Sequence, residues 1–195
     1  MGERCAWAGS DPLYVAYHDE EWGVPDYEGR ALWEKLVLDG FQAGLSWITI
    51  LRKRENFRAA FAGFDPEVIA GWGEPEVQRL LADPGIIRHR GKIEATIGNA
   101  RAFREIEARQ GFARFLWDYV DGAPLQTRRA TMADVPAQTE LSQRISKDLK
   151  KAGFRFCGPT IVYAFMQAVG MVNDHVLHCP CHDPVAEIGK RGFPG

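Results

Sequence analysis

Apolar residues recur along most of the chain at the three-to-four spacing of an amphipathic helix, and no run alternates long enough to specify a strand. Between Arg30 and Leu38, the residues Ala31, Leu32, Leu36 and Val37 fall toward one side. Ile93, Ile97, Ala100, Phe103 and Ile106 do the same further on. The pattern predicts an all-α fold. Asp65-Pro66-Glu67 reads as a capped helix start with proline at the first helical position, and Asp11-Pro12 reads similarly. Gly111, Gly122 and Gly153 fall where helices should end. The polar stretch from Asp121 to Glu140, with Pro124 and Pro136, is the one long connection and the expected boundary between two helical lobes of a single domain over residues 1–195. A late helix from Ser142 to Ala152 runs into Gly153-Phe154-Arg155-Phe156-Cys157-Gly158, and the apolar run Ile161 to Val172 follows. The order is helix, hairpin, helix.

Composition narrows the function classes. A chain of 195 residues with 46% hydrophobic content can bury one sizeable core or two small lobes. A formal charge of -2 announces no global basic field, yet basic residues cluster at Arg52-Lys53-Arg54, at Arg88-His89-Arg90 with Lys92, and at Lys147, Lys150, Lys151 and Arg155. The segment Met1 to Ala6 has no signal-peptide or myristoylation pattern, and the longest apolar run is too short to span a bilayer. A cytoplasmic protein with no membrane partner is expected. In that reducing setting, four cysteines interleaved with histidines favour metal ligation or free thiols over disulfides.

Three constellations carry candidate chemistry. A tight connection between helices exposes backbone N–H groups near a helix N-terminus, where phosphate binds. Gly153 and Gly158 would permit positive φ and close approach, with Lys151 and Arg155 beside them. Alone, this is also what an ordinary glycine-capped helix looks like. Aromatic residues form the second: Trp7, Tyr14, Tyr17 and Trp22, then Trp47 in Gln42-Ala43-Gly44-Leu45-Ser46-Trp47. Such rings fill cores, or they sandwich a base taken out of its stack, favouring a cationic base by about 0.5–2 kcal/mol per face. Gly44 and Leu45 can set an apolar wedge at a loop tip to fill the gap left by a flipped nucleotide. Third, His175 and Cys179 have the spacing of half a zinc site, whereas Cys5 and His18 need an intervening segment, and His178, Cys181 and His182 compete nearby. Iron–sulfur ligation fails for want of four closely spaced cysteines.

The stretches Tyr14 to Pro25, Gln42 to Thr49, Gly85 to Ile93, and Val172-Asn173-Asp174-His175 closely resemble 3-methyladenine DNA glycosylase I, a branch of the helix-hairpin-helix glycosylases. The resemblance runs from Arg4 to about Cys181 and leaves a C-terminal tail over residues 182–195. It implies a two-lobed helical fold that extrudes a methylated adenine from double-stranded alkylated DNA and cleaves its glycosidic bond, acting as a monomer. It also implies one structural Zn2+ per chain on Cys5, His18, His175 and Cys179, tying the termini together. Tyr17 and Trp47 match the family's base-holding rings, with Trp7 and Trp22 close by; the hairpin and wedge readings separately make Gly44, Leu45, Lys151, Gly153, Phe154, Arg155 and Gly158 the DNA-binding candidates. Asn173 stands where most helix-hairpin-helix glycosylases keep a catalytic aspartate. Asp39 occupies the place of a pocket glutamate and is the catalytic candidate, with about 1.5 Å less reach.

A base methylated at N3 already carries positive charge, so its glycosidic bond is weak and binding can replace a strong general acid. No lysine lies between Lys151 and Lys190, and Thr160 stands near where bifunctional relatives carry one, so release of free base without strand cutting is expected. The alternative from the residues alone is a zinc-stabilised module that binds methylated or distorted DNA without cleaving it.

Overall fold

The computed structural model describes residues 3–194, so the ends of the expected 1–195 domain, including Met1 and Gly2 of the opening segment, lie outside the described residues. Helix α1 (Pro12–Glu20) starts where Asp11-Pro12 predicts. The Asp11 carboxylate accepts from the N–H groups of Leu13 and Tyr14, satisfying donors that the first turn cannot use. Helices α2 (Gly29–Gln42) and α3 (Trp47–Ala60) follow, joined by a turn at Gly44 with φ 84. Then come α4 (Pro66–Ile69), capped by Asp65, and α5 (Glu74–Leu81). The long α6 (Arg90–Gln110) ends at Gly111 with φ 83, as its periodicity and glycine stop predict, and α7 (Phe112–Trp117) begins directly after it.

Helix α2 is the axis of the molecule. Its residues from Leu36 to Phe41 are all buried, because α3, α6, α7 and α9 (Pro159–Ala168) pack against it. A helix buried on nearly every side loses the one-faced pattern that Arg30 to Leu38 suggested, and Ala31 is only half-buried. The aromatic content divides between two uses. Trp33, Trp117, Phe41, Phe57, Phe61 and Phe64 are fully buried core rings, each worth about 1.5–3 kcal/mol of burial. The other group, described below, surrounds a cavity.

The expectation of no strand is corrected by one short ladder. β1 (Leu125–Gln126) pairs in parallel with β2 (Val172–Asn173), Leu125 opposite Val172. Two residues per strand leave no alternation to read. The long connection from Asp121 is thereby led back against the segment that precedes His175. At Gly170, φ is 74 and a Cβ would stand 2.4 Å from the Pro25 nitrogen, so only glycine lets these two segments meet.

The helix-hairpin-helix unit is α8 (Glu140–Lys151), the connection through residues 152–158, and α9. Gly153 takes φ 102, its N–H donates to Lys150 O, and Phe154 N–H donates to Leu149 O, closing α8. Gly158 differs from expectation: with φ -64 it is the extended N-cap of α9, and the left-handed residue is Phe156, φ 54. The residues expected to form a tail instead build α10 (His182–Gly189), and beyond it Phe193 donates its N–H to Gly122 O.

Candidate active site and metal centre

Five parts of the chain converge on a cavity of about 340 Å³. The segment before α1, α1 itself and the turn after it bring Trp7, Tyr14, Tyr17 and Trp22; α2 brings Lys35, Asp39 and Gln42; and α3 begins with Trp47. Helix α9 adds Thr160, Tyr163 and Gln167, and the connection after β1 covers one side with Met132, Val135, Pro136 and Ala137. Tyr17 and Trp47 stand 5.5 Å apart between ring centroids at 43°, and Trp7 lies 5.1 Å from Trp22 and 5.0 Å from Tyr14. The rings thus pack on one another in tilted and edge-on contacts around the cavity.

Two buried polar atoms in this wall have no partner among the described residues: Asp39 Oδ2 and the Trp47 Nε1–H. Buried polar groups are ordinarily paired, so an unpaired acceptor and donor here point to a ligand that completes them. The other Asp39 oxygen accepts from Lys35 Nζ one turn earlier on α2. Asp39 is 3% exposed and neither caps a helix nor faces solvent. Burial pushes its carboxyl above the usual carboxylate value while the Lys35 ammonium opposes that shift; burial likewise pushes Lys35 down and Asp39 opposes it. Burial holds the Tyr17 phenol well above its ordinary value, so Tyr17 is a neutral wall.

A second carboxylate, Asp174, is fully buried behind the cavity. It accepts from Tyr163 Oη at 2.6 Å, Gln167 Nε2 at 2.8 Å and Thr127 Oγ1 at 2.7 Å. It fixes two lining side chains. Asn173 next to it donates from Nδ2 to Gln126 Oε1 and His182 O, at 2.9 and 3.0 Å. Those bonds commit its amide to holding α10 and the ladder together.

Cys5, His18, His175 and Cys179 are all buried, and their ligand atoms lie within 4.8 Å of one another. Cys179 Sγ is 3.5 Å from His175 Nδ1 and 3.6 Å from His18 Nε2, and Cys5 Sγ is 3.6 Å from His175 Nδ1. The far ring nitrogens are already paired: His175 Nε2–H donates to Trp22 O at 2.9 Å and His18 Nδ1–H to Asp19 Oδ1 at 2.8 Å. Arg4 holds Asp19 in turn through Nη2 at 2.7 Å. Each imidazole thus directs a free lone pair at the two sulfurs, an orientation that metal sites fix in this way. The cluster can hold a metal ion. Cys181 and His182 are not part of it: Cys181 Sγ contacts Asp19 at 3.7 Å, and His182 points to Asp183 and Thr127 O.

The model of the family "Methyladenine glycosylase" matches residues 7–182. The chain belongs to the methyladenine glycosylase family. It is 54% identical over 181 residues to "DNA-3-methyladenine glycosylase 1" of Escherichia coli, covering 92% of this chain and 97% of that one. It is 45% identical to "DNA-3-methyladenine glycosylase" of Haemophilus influenzae, covering 93% and 98%. A crystal structure of 3-methyladenine DNA glycosylase I superposes with a TM-score of 0.91 at 55% identity, over 92% of this chain and all (100%) of that one. A Staphylococcus aureus 3-methyladenine DNA glycosylase I, solved to explain 3-methyladenine recognition, gives 0.89 at 39% identity over 91% and 95%. The family match stops at the first residue of α10, so that helix is carried outside it.

Around this methyladenine glycosylase cavity the other predicted residues separate. Leu45 is 43% exposed at the tip of the α2–α3 turn, next to Gly44, where an added Cβ would meet nothing. Gly153, Arg155 and Lys151 are exposed at the hairpin. The Arg155 backbone is clamped by Asn99, whose Oδ1 accepts its N–H at 2.8 Å and whose Nδ2 donates to its carbonyl at 3.1 Å. The Phe154 side chain is 2% exposed and stacks 5.7 Å from Phe112 as the apolar plug of the α8 cap, so this residue offers the hairpin surface only its backbone. Most of the other two basic clusters is paired, while Arg88 is exposed. Arg52 and Arg54 pair with Asp11 and Glu21, Arg90 with Glu74, and Lys92 caps α2 from inside by donating to Phe41 O and Ala43 O. Sequence reasoning missed Lys35, Gln42, Tyr163, Gln167 and the residues from Met132 to Ala137; the proximity of Lys35 to Asp39 at i,i+4 was the one available signal.

Among the described residues no helix is long and apolar enough to cross a membrane.

Proposed function

We propose that this chain is a monofunctional DNA glycosylase that excises 3-methyladenine from double-stranded alkylated DNA and leaves an abasic site, the first step of base excision repair. The carrying observation is the convergence of Tyr17, Trp47 and the unpaired Asp39 Oδ2 on one largely aromatic cavity. Leu45 takes the gap left in the duplex, and the hairpin residues Gly153, Arg155 and Gly158, with Lys151, hold the backbone phosphates. The extruded base lies against Tyr17 and Trp47, with Trp7 and Trp22 closing the wall behind them. Its positive charge is stabilised by the ring faces and by Asp39, directly or through water, and it leaves as water attacks the sugar carbon. A normal adenine, neutral and well stacked, gains less here and costs more to flip.

Cys5, His18, His175 and Cys179 would hold one zinc ion. Two thiolates and two neutral imidazoles suit its tetrahedral preference, and its part is to pin the N-terminal segment to the segment after β2. No chemistry passes through it.

The test is incubation of purified protein with methylated duplex DNA. The reading predicts release of 3-methyladenine, an intact strand until alkali is added, and no adduct trapped by borohydride. Binding to the methylated duplex without release of any base would favour a non-cleaving DNA-binding module instead.

A further inference from the structure

The wall of the cavity carries a cation of its own. Lys35 extends from α2 so that Nζ lies 3.9 Å from the centroid of the Trp47 ring and donates to the Asp39 carboxylate. Its side chain is 16% exposed and lines the cavity. An ammonium over an indole face with a carboxylate on its other side is the same electrostatic arrangement that the glycosylase reading gives to an N3-methylated adenine: positive charge between a ring and Asp39. The two cannot occupy that face together. Lys35 has somewhere to go. It also lines a neighbouring cleft of about 600 Å³, where Arg54 pairs with Glu21 and Arg58 with Glu34 and where Glu20, Asp26 and Glu28 leave an excess of negative charge. A rotation about its flexible stem exchanges one set of anions for another.

We propose that Lys35 is a specificity-determining residue, an internal cation that occupies the Trp47 face until an alkylated base displaces it into the acidic cleft. The inference rests on the glycosylase reading and deepens it. Entry of a cationic base then swaps one positive charge for another beside Asp39, and the buried carboxylate is never left alone. A neutral base that drives Lys35 out strands an ionised Asp39 among aromatic rings, which the low-dielectric wall penalises. The lysine therefore weakens binding of every base and weakens neutral ones most.

The experiment compares wild type with Lys35→Met, a side chain of similar length that packs without charge. Binding is titrated with 3,9-dimethyladeninium, a permanent cation, and with neutral 9-methyladenine. With Lys35 gone, Asp39 has no protein cation beside it whether or not a base is bound, so a neutral base no longer adds the cost of stranding it. The inference predicts that both ligands bind more tightly to Lys35→Met, the neutral one by roughly ten-fold and the cation by less. Unchanged or weaker binding of the cation, or equal gains for both, overturns it. A second measurement needs no variant. The Lys35 ε-methylene resonance of the wild-type protein should be displaced upfield by the Trp47 ring and should return toward a random-coil position on saturation with the cation; a resonance that stays put overturns the inference. Either failure in a protein that still releases 3-methyladenine from methylated DNA would leave the glycosylase reading standing.

Discussion

His175 donates its Nε2–H to the carbonyl oxygen of Trp22 at 2.9 Å, so a metal-directed imidazole and a wall of the aromatic cavity form one hydrogen-bonded unit. Trp22 also stacks on His18 with 14° between ring planes, 6.2 Å centre to centre. The Cys5, His18, His175 and Cys179 cluster is therefore built into the cavity wall: it holds the Trp22 backbone, and Trp22 packs edge-on against Trp7.

Removal of the metal should weaken the base site as well as the fold. Cys179→Ala is expected to lose bound zinc and to lower Tm by about 10 °C, given about 2–4 °C per kcal/mol in a chain of this size. Asp19→Asn, which alters only the group orienting His18, should lower metal affinity by about 10–100-fold with the ligands intact. Metal analysis, thermal melting and 3-methyladenine titration of the same samples check this. Full metal loading in Cys179→Ala would point to substitution by Cys181.

Trp47→Ala should weaken binding of free 3-methyladenine by about 1–3 kcal/mol and leave affinity for undamaged duplex nearly unchanged, because stacking acts only on a base already in the cavity. Fluorescence titration against each ligand separates the two. Equal losses would remove Trp47 from the base site.

Leu45→Ala should do the reverse. The side chain is exposed at a turn tip and touches no wall of the cavity, so free-base affinity should hold while excision from duplex DNA falls. Excision from a substrate with the lesion opposite an abasic site, where little stacking resists extrusion, should be less affected than excision from a fully paired duplex.

The acid limb of excision should lie above the ordinary carboxylate value of 3.8, because burial raises Asp39. The sign follows from its use as an anion: excision is present above the Asp39 pKa and lost as pH falls through it. Lys35 on the same helix opposes the shift, and Tyr17 from α1 faces the pair as a neutral phenol. Asp39→Asn should abolish that limb and lower excision about a hundred-fold at neutral pH. A pH–rate profile unchanged in shape would show that a different group governs it.

How much could be read before the structure depended on the kind of signal. Helix starts at Asp11-Pro12 and Asp65-Pro66 were legible because capping chemistry is local, and α6 was legible because it shows one apolar face over 21 residues. β1 and β2 were not, since two-residue strands have no period and only the tertiary approach through Gly170 creates them. In the cavity, Tyr17, Trp47 and Asp39 were named through resemblance to a family, whereas Lys35 looks like any polar position on a helix until α2 is found to be buried. Met132 to Ala137 read as a boundary between lobes; folded back by the ladder, they cover the cavity. Charge in sequence says nothing of partners: Lys92 is an internal cap, whereas Arg88 is exposed before α6 and Lys151 and Arg155 are exposed at the hairpin.

The most direct measurement is a crystal structure of this chain soaked with 3,9-dimethyladeninium, which carries the positive charge that the N3-methylated nucleotide carries in DNA. The account predicts the purine against the Trp47 and Tyr17 rings, within hydrogen-bond reach of Asp39 directly or through one water, with the Lys35 ammonium withdrawn toward Glu21 and Glu34. A cavity that stays empty at saturating base, or a base bound elsewhere while Lys35 remains on Trp47, would contradict it.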